Sequence, residues 1–178
     1  MRILGIASSL RKGSSTTGLL RLAATKLPAN TSYEIYVPNL PLFNEDLEKD
    51  TIAAVDDFRA KLAASDGFVF SLCEYNSSLS PAIKNAIDWG SRKGHWNNKP
   101  AAIMSAGGAV GGIRSQLHFR HIASNVNLHV MNHPVVAKPI FIQPGPVDLA
   151  TGEWKDETTA KEVEKLMSEF VAYSKRFM

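Results

Sequence analysis

Five times over, the chain alternates a short continuous apolar run with a segment whose apolar residues recur at helical spacing. The runs cover Arg2–Ala7, 32–37, 67–73, 101–105 and 130–138. Runs without polar alternation suit strands covered on both faces. The segments between and after them, 16–27, 51–64, 81–89, 113–123 and 156–177, read as helices. Leu19, Leu20, Leu22, Ala23 and Leu27 mark the apolar stripe of the first, and Val55, Phe58 and Leu62 that of the second, which Thr51 opens with a capping hydroxyl. Pro81 starts the third at a first-turn position, and a glycine pair precedes the fourth. Val163, Leu166, Met167, Phe170 and Val171 form the stripe of the last. Strict alternation of strand and helix demands crossover connections, hence a doubly wound α/β fold with a parallel sheet and helices on both faces. Five strands favour the order 2-1-3-4-5 over the six-stranded dinucleotide-binding order.

Nothing divides this pattern. The 178 residues form one expected domain, 1–178, with two long loops at 38–50 and 143–151. A net charge of +3, without a basic run longer than two residues, excludes a nucleic-acid footprint and suits an anionic ligand. A single cysteine, Cys73, excludes an intrachain disulfide, and no Cys/His set has zinc-site spacing, so no metal is expected. The N-terminal apolar run is too short for a signal peptide and no run spans a membrane, which makes the cytoplasm the expected address.

Ligands of such sheets bind beyond the carboxyl ends of the strands. After the first strand comes Ser8-Ser9-Leu10-Arg11-Lys12-Gly13-Ser14-Ser15-Thr16-Thr17, leading into a helix. It is neither a G-x-G-x-x-G dinucleotide fingerprint nor a P-loop. Ser9, Ser14, Ser15 and Thr16 offer neutral hydrogen bonds, Arg11 a charged one, and the helix N-terminus its unpaired N–H groups. That chemistry suits one terminal phosphate monoester, as in FMN; a polar turn with a helix cap is the plainer alternative. After the fourth strand comes Ser105-Ala106-Gly107-Gly108-Ala109-Val110-Gly111-Gly112, whose glycines let backbone approach a flat ligand. A flexible connector would have the same composition.

Four pieces together resemble the NADPH-dependent FMN reductases, the family of bacterial chromate, quinone and azo reductases. They are Ser9-Leu10-Arg11-Lys12-Gly13-Ser14; Glu74-Tyr75-Asn76 with Lys84-Asn85-Ala86-Ile87-Asp88-Trp89; Gly111-Gly112-x-Arg114-x-Gln116; and Met131-Asn132-x-Pro134. The resemblance runs from residue 1 to about residue 160. It implies a flavodoxin-like fold, with Ser9, Arg11, Ser14 and Thr16 on the FMN phosphate. It implies Glu74, Tyr75 and Asn76 beside the ribityl chain and ring, and Ser105, Ala106, Gly107 and Gly108 bordering the ring. It also implies a homodimer or homotetramer with the site near the subunit interface. The chain departs from the family pattern at Ser8 (usually glycine), Thr16 (usually asparagine), Ser77 (often aromatic) and Ser80 (usually proline, which here follows as Pro81).

The expected function is that of an NAD(P)H-dependent FMN oxidoreductase. Hydride passes from NADPH or NADH to bound FMN and then, by ping-pong, to a small-molecule electron acceptor: a quinone, azo compound, chromate or free flavin. The cofactor carries the chemistry, so no side chain is assigned as acid, base or nucleophile. A flavodoxin-type electron carrier is the alternative, disfavoured by the positive charge. Six further residues have competing readings. Cys73 ends a buried strand and reads as a small hydrophobe rather than a redox thiol. His118 and His121 share a helix face but lack a third ligand. Trp89 and Trp96 flank a basic turn and suit core, pocket or interface, with the interface preferred. Arg114 suits a surface ion pair and a nicotinamide phosphate equally.

Overall fold

The computed structural model describes residues 1–140 and 145–178. Its sheet is parallel and runs in the order β2 (Ser32–Tyr36), β1 (Arg2–Ala7), β3 (Gly67–Leu72), β6 (Pro100–Ala106), closed at the far edge by two short strands. Side chains alternate across these strands, so each feeds both faces. Leu4 and Ile6 of β1 and Phe68 and Phe70 of β3 pack with Phe58, Ile83, Ile87 and Phe119 under α2 (Ala53–Ala64), α3 (Pro81–Ser91) and α4 (Ile113–Asn125). Ile3, Val69, Ala102 and Met104 face the other way, against Leu19, Leu20, Val163, Leu166 and Phe170 of α1 (Ser15–Ala24) and α5 (Glu157–Ser174). Both faces are covered, which is why β3 and β6 are buried at every position.

The expected fifth strand is two. β7 (His129–Val130) pairs with the start of β6, and β8 (Val136–Lys138) with its end. Pro134, which cannot donate to a ladder, lies in the stretch between them. There Arg120 ties the chain down through Met131 O and Asn132 Oδ1, each at 3.1 Å. A hairpin outside the five expected strands, β4 (Glu74–Tyr75) with β5 (Ser78–Leu79), follows β3. Asn76 and Ser77 turn it with φ of 50° and 61°, the backbone that two-residue hairpin loops require.

Several helix ends differ from expectation, α3 and α4 each running two residues further, to Ser91 and Asn125. α1 stops at Ala24, leaving Leu27 half-buried beyond it. Ile52, not Thr51, is the N-cap of α2, and no side chain caps that helix. α5 gives way to a 3₁₀ turn over Lys175–Phe177. The interface reading of Trp89 and Trp96 is corrected as well, because both are fully buried within the chain. Trp96 sits among Phe58, Phe68 and Phe70 and donates its indole N–H to Ile87 O at 3.1 Å. Trp89 donates to Pro41 O at 2.8 Å and, with Asn85, pins the 38–50 loop.

Candidate active site

The sheet order sets the carboxyl ends of β1, β3 and β6 side by side, and the loops leaving them converge on one cleft of about 290 Å³. Its walls are Ser9, Arg11, Ser14, Ser15 and Thr16 after β1, Cys73, Glu74 and Tyr75 after β3, and Ala106, Gly107 and Gly108 at the end of β6, with Ile140 and Leu149. Of the expected site residues, all but Asn76 and Ser105 line it. Asn76 stands at the tip of the β4–β5 hairpin together with Ser77. The Ser105 side chain is turned inward, donating to Gly111 O at 2.6 Å and accepting from Gln116 Nε2 at 2.8 Å.

One end of the cleft gathers the donors that could hold an anion. Ser14 caps α1, its hydroxyl accepting the Thr17 N–H at 3.2 Å and lying 2.8 Å from the Thr16 hydroxyl. The N–H groups of the first turn, on Ser15 and Thr16, have no acceptor within the helix. They carry the positive end of its dipole into the cleft wall. Arg11 is exposed and spends one guanidinium nitrogen on Leu149 O at 2.8 Å. The loop after β6 supplies almost no side-chain bulk. A Cβ added at Gly108 would meet nothing within 4 Å, and at Gly107 nothing nearer than 3.6 Å. Hydroxyls, helix N–H groups and a guanidinium beside an open glycine loop fit a flat group with a single phosphate tail, which is the shape of FMN.

Glu74 is engaged elsewhere. Its carboxylate accepts the Arg114 and Ser115 N–H groups at 2.9 and 3.4 Å, and the Arg114 guanidinium at 3.0 Å. The acid therefore fills the N-terminus of α4, whose cap, Gly112, is left-handed and has no side chain to offer. The ion pair read for Arg114 is present. His118 bonds the Ser78 hydroxyl at 2.9 Å, and no group of three metal-ligating side chains occurs among the described residues.

Residues 1–143 match the family of NADPH-dependent FMN reductases. The chain belongs to that family. Relatives carry the likeness along its length. An NADPH:quinone oxidoreductase of Arabidopsis thaliana is 38% identical over 99% of this chain and 93% of its own. An NAD(P)H-dependent FMN reductase of Pseudomonas aeruginosa is 38% identical over 76% of each. The solved flavoenzyme NAD(P)H:(acceptor) oxidoreductase of Paracoccus denitrificans superposes with a TM-score of 0.85 at 26% identity, covering 99% of this chain and 98% of that one. An archaeal flavodoxin, at a TM-score of 0.64 and 10% identity, shares the fold alone. This FMN reductase is thus a flavodoxin-like oxidoreductase that works with FMN and NAD(P)H.

Two of its departures from the family pattern answer one another. Ser80, the N-cap of α3, donates its hydroxyl to Ser8 O at 2.5 Å, and the Ser8 hydroxyl accepts the Cys73 N–H at 2.6 Å. The loops after β1 and β3 are braced together behind the cleft. Cys73, whose thiol faces Ser8 O at 3.5 Å, is a buried wall residue, as its plainer reading held. The reductase also has cleft residues that sequence reasoning missed. Ile140 and Leu149 carry no polar signal and reach the cleft only through the path of the chain after β8. Part of the expected 143–151 loop, Gln143 and Pro144, lies outside the described residues.

Proposed function

We propose that this FMN reductase is an NAD(P)H:quinone oxidoreductase that holds one FMN in the cleft and also passes electrons to azo compounds, chromate or free flavin. The observation that carries the reading is the cleft itself, with anion donors at one end and side-chain-free backbone at the other. The names of the 37–38% identical relatives support quinones as acceptors. Ser9, Arg11, Ser14, Ser15 and Thr16 would hold the phosphate, with the first-turn N–H groups of α1. Glu74 would orient the β4–β5 hairpin through α4 and so present Tyr75, which is half-exposed, to the open side. Ser105 would take part through its backbone alone, because its hydroxyl is already paired twice. FMN held there would supply the redox chemistry, hydride acceptance from the nicotinamide and electron delivery to the acceptor. The cleft needs no acid or base of its own, since its task is to bind, orient and leave one side accessible. Donor and acceptor would use that side in turn, giving ping-pong kinetics.

No described helix is long and apolar enough to cross a membrane, and the proposed location is the cytoplasm. The proposed assembly is a homodimer or homotetramer; exposed Tyr75, Val110 and Leu117 support apolar contact around the hairpin and α4. The test is stopped-flow mixing of the FMN-loaded protein with NADPH and NADH, followed by a quinone. Rapid bleaching and quinone-dependent recovery of the flavin colour are expected. A flavin that neither donor bleaches would leave only an electron carrier.

A further inference from the structure

Residues 146–155, beyond the sheet and far from the phosphate loop in sequence, double back and lie on α1. Val147 and Trp154 pair as an antiparallel bridge, with Asp148 N–H donating to Glu153 O at 2.8 Å and Lys155 N–H to Pro146 O at 2.9 Å. Asp148 builds the turn. Its Oδ1 accepts the Ala150 and Thr151 N–H groups at 2.9 and 3.3 Å, and its Oδ2 lies 3.6 Å from the Lys155 ammonium. Those two backbone donors, helped by Lys155, hold the carboxyl below the usual carboxylate range. The turn's outward carbonyls then meet the phosphate loop and its helix. Leu149 O accepts from Arg11 and Thr151 O from Arg21, both at 2.8 Å, while Trp154 donates its indole N–H to Ser15 O at 2.8 Å.

The two backbones touch with no room for a side chain. A Cβ at Gly13 would stand 2.0 Å from Ala150 O, and one at Gly152 would stand 2.3 Å from Ser14 O. The residues that would grip a phosphate are thus pressed from outside by a second element. Among them Arg11 has the most freedom to lose, because a long exposed side chain must be ordered before it can serve a ligand. Leu149 O fixes one edge of its guanidinium and leaves the remaining donors of the fork for an anion.

We infer that the 146–155 hairpin is the positioning element of the phosphate site. Asp148 and Arg21, neither of which lines the cleft, act through Arg11 and the Gly13–Ser14–Ser15 backbone to preorganise the donors for a phosphate monoester. The inference rests on the FMN reading above, and it assigns the hairpin to the phosphate rather than to the ring.

The experiment titrates apoprotein with FMN and, separately, with riboflavin, following flavin fluorescence. Wild type binds FMN at least about tenfold more tightly than riboflavin, as a charged hydrogen-bond set requires. Asp148→Ala and Arg21→Met each lower FMN affinity about tenfold and leave riboflavin affinity within about twofold. Asp148→Asn, which keeps an oxygen acceptor for the Ala150 and Thr151 N–H groups, recovers most of the loss. Equal losses for both flavins would show that the hairpin merely supports the whole cleft and would overturn the inference. So would unchanged FMN affinity in Arg21→Met, the variant that decides the matter if Asp148→Ala fails to fold by circular dichroism. Equal wild-type affinity for the two flavins is a separate result, visible before any variant is made, and it removes the phosphate reading along with the inference.

Discussion

Gly18→Ala separates local propensity from tertiary contact, because the two demand opposite signs. Gly18 lies inside α1, where alanine is favoured over glycine by about 0.5–1 kcal/mol. Taken alone, that stabilises the variant. The added Cβ, however, would fall 1.7 Å from Gly152 O and 3.2 Å from the Trp154 ring. A backbone carbonyl in a paired hairpin cannot rotate away. The hairpin must retreat by about 1.5 Å before the contact reaches even the tight 3.0–3.4 Å range. Retreat stretches the Leu149, Thr151 and Trp154 hydrogen bonds, each now 2.8 Å, past useful length. Each contributes about 0.5–1.5 kcal/mol net. Two of them are solvent-exposed, so together they contribute about 2–3 kcal/mol. After the propensity gain, the expected net loss is about 1–2 kcal/mol. At 178 residues, that lowers Tm by about 2–8 °C. Urea denaturation and a thermal melt of the apoprotein measure it. A Tm that rises, as helix propensity alone requires, would refute the claim that the hairpin is docked on α1.

Arg11→Ala should weaken FMN binding about ten- to a hundredfold, with Arg11→Lys recovering part, since lysine keeps the charge but loses the planar fork; isothermal titration of the apoproteins checks both. Trp96→Ala should destabilise the fold by about 3–5 kcal/mol, because it empties the centre of a buried aromatic cluster. A urea midpoint close to wild type would return Trp96 to an interface role. Burial, with Lys99, Arg59 and Lys93 nearby, holds the His95 pKa below its ordinary 6.5. The unfolded chain therefore takes up a proton first, and stability contributed by neutral His95 is lost as pH falls from 6.5 through the lower folded value. His95→Gln should flatten that part of the stability profile, read as urea midpoints at about pH 7 and about pH 5. Glu74→Ala removes three hydrogen bonds at the start of α4 and should raise KM for quinones more than it lowers kcat, since Tyr75 loses its tether. Steady-state kinetics distinguish this from a catalytic role, in which kcat would fall and KM would hold.

The layer architecture, the strand order and the donor-rich end of the cleft were all legible in the sequence. Each of these is local. Apolar runs without alternation suit strands buried on both faces, and five of them alternating with amphipathic helices favour one order. A hydroxyl-rich loop entering a helix likewise presents its donors whatever packs around it. The tertiary structure alone decided four things. Trp89 and Trp96 became core rather than interface, because a large aromatic side chain suits either and only the packing of Trp96 on Phe58, Phe68 and Phe70, and of Trp89 under the 38–50 loop, selects one. Glu74 was drawn to the N-terminus of α4 by Arg114, forty positions away in sequence, a pairing that no residue spacing encodes. The fifth strand divided where Pro134 interrupts the edge, because an apolar run signals burial without saying whether its ladder is continuous. The 146–155 hairpin came to rest on the loop after β1 and on α1 across 130 to 139 residues of chain, through backbone carbonyls that every sequence possesses. The donors are the side chains of Arg11, Arg21 and Trp154, but a backbone carbonyl acceptor carries no residue identity that could mark the partner in the sequence, so only the packed molecule reveals the pairing.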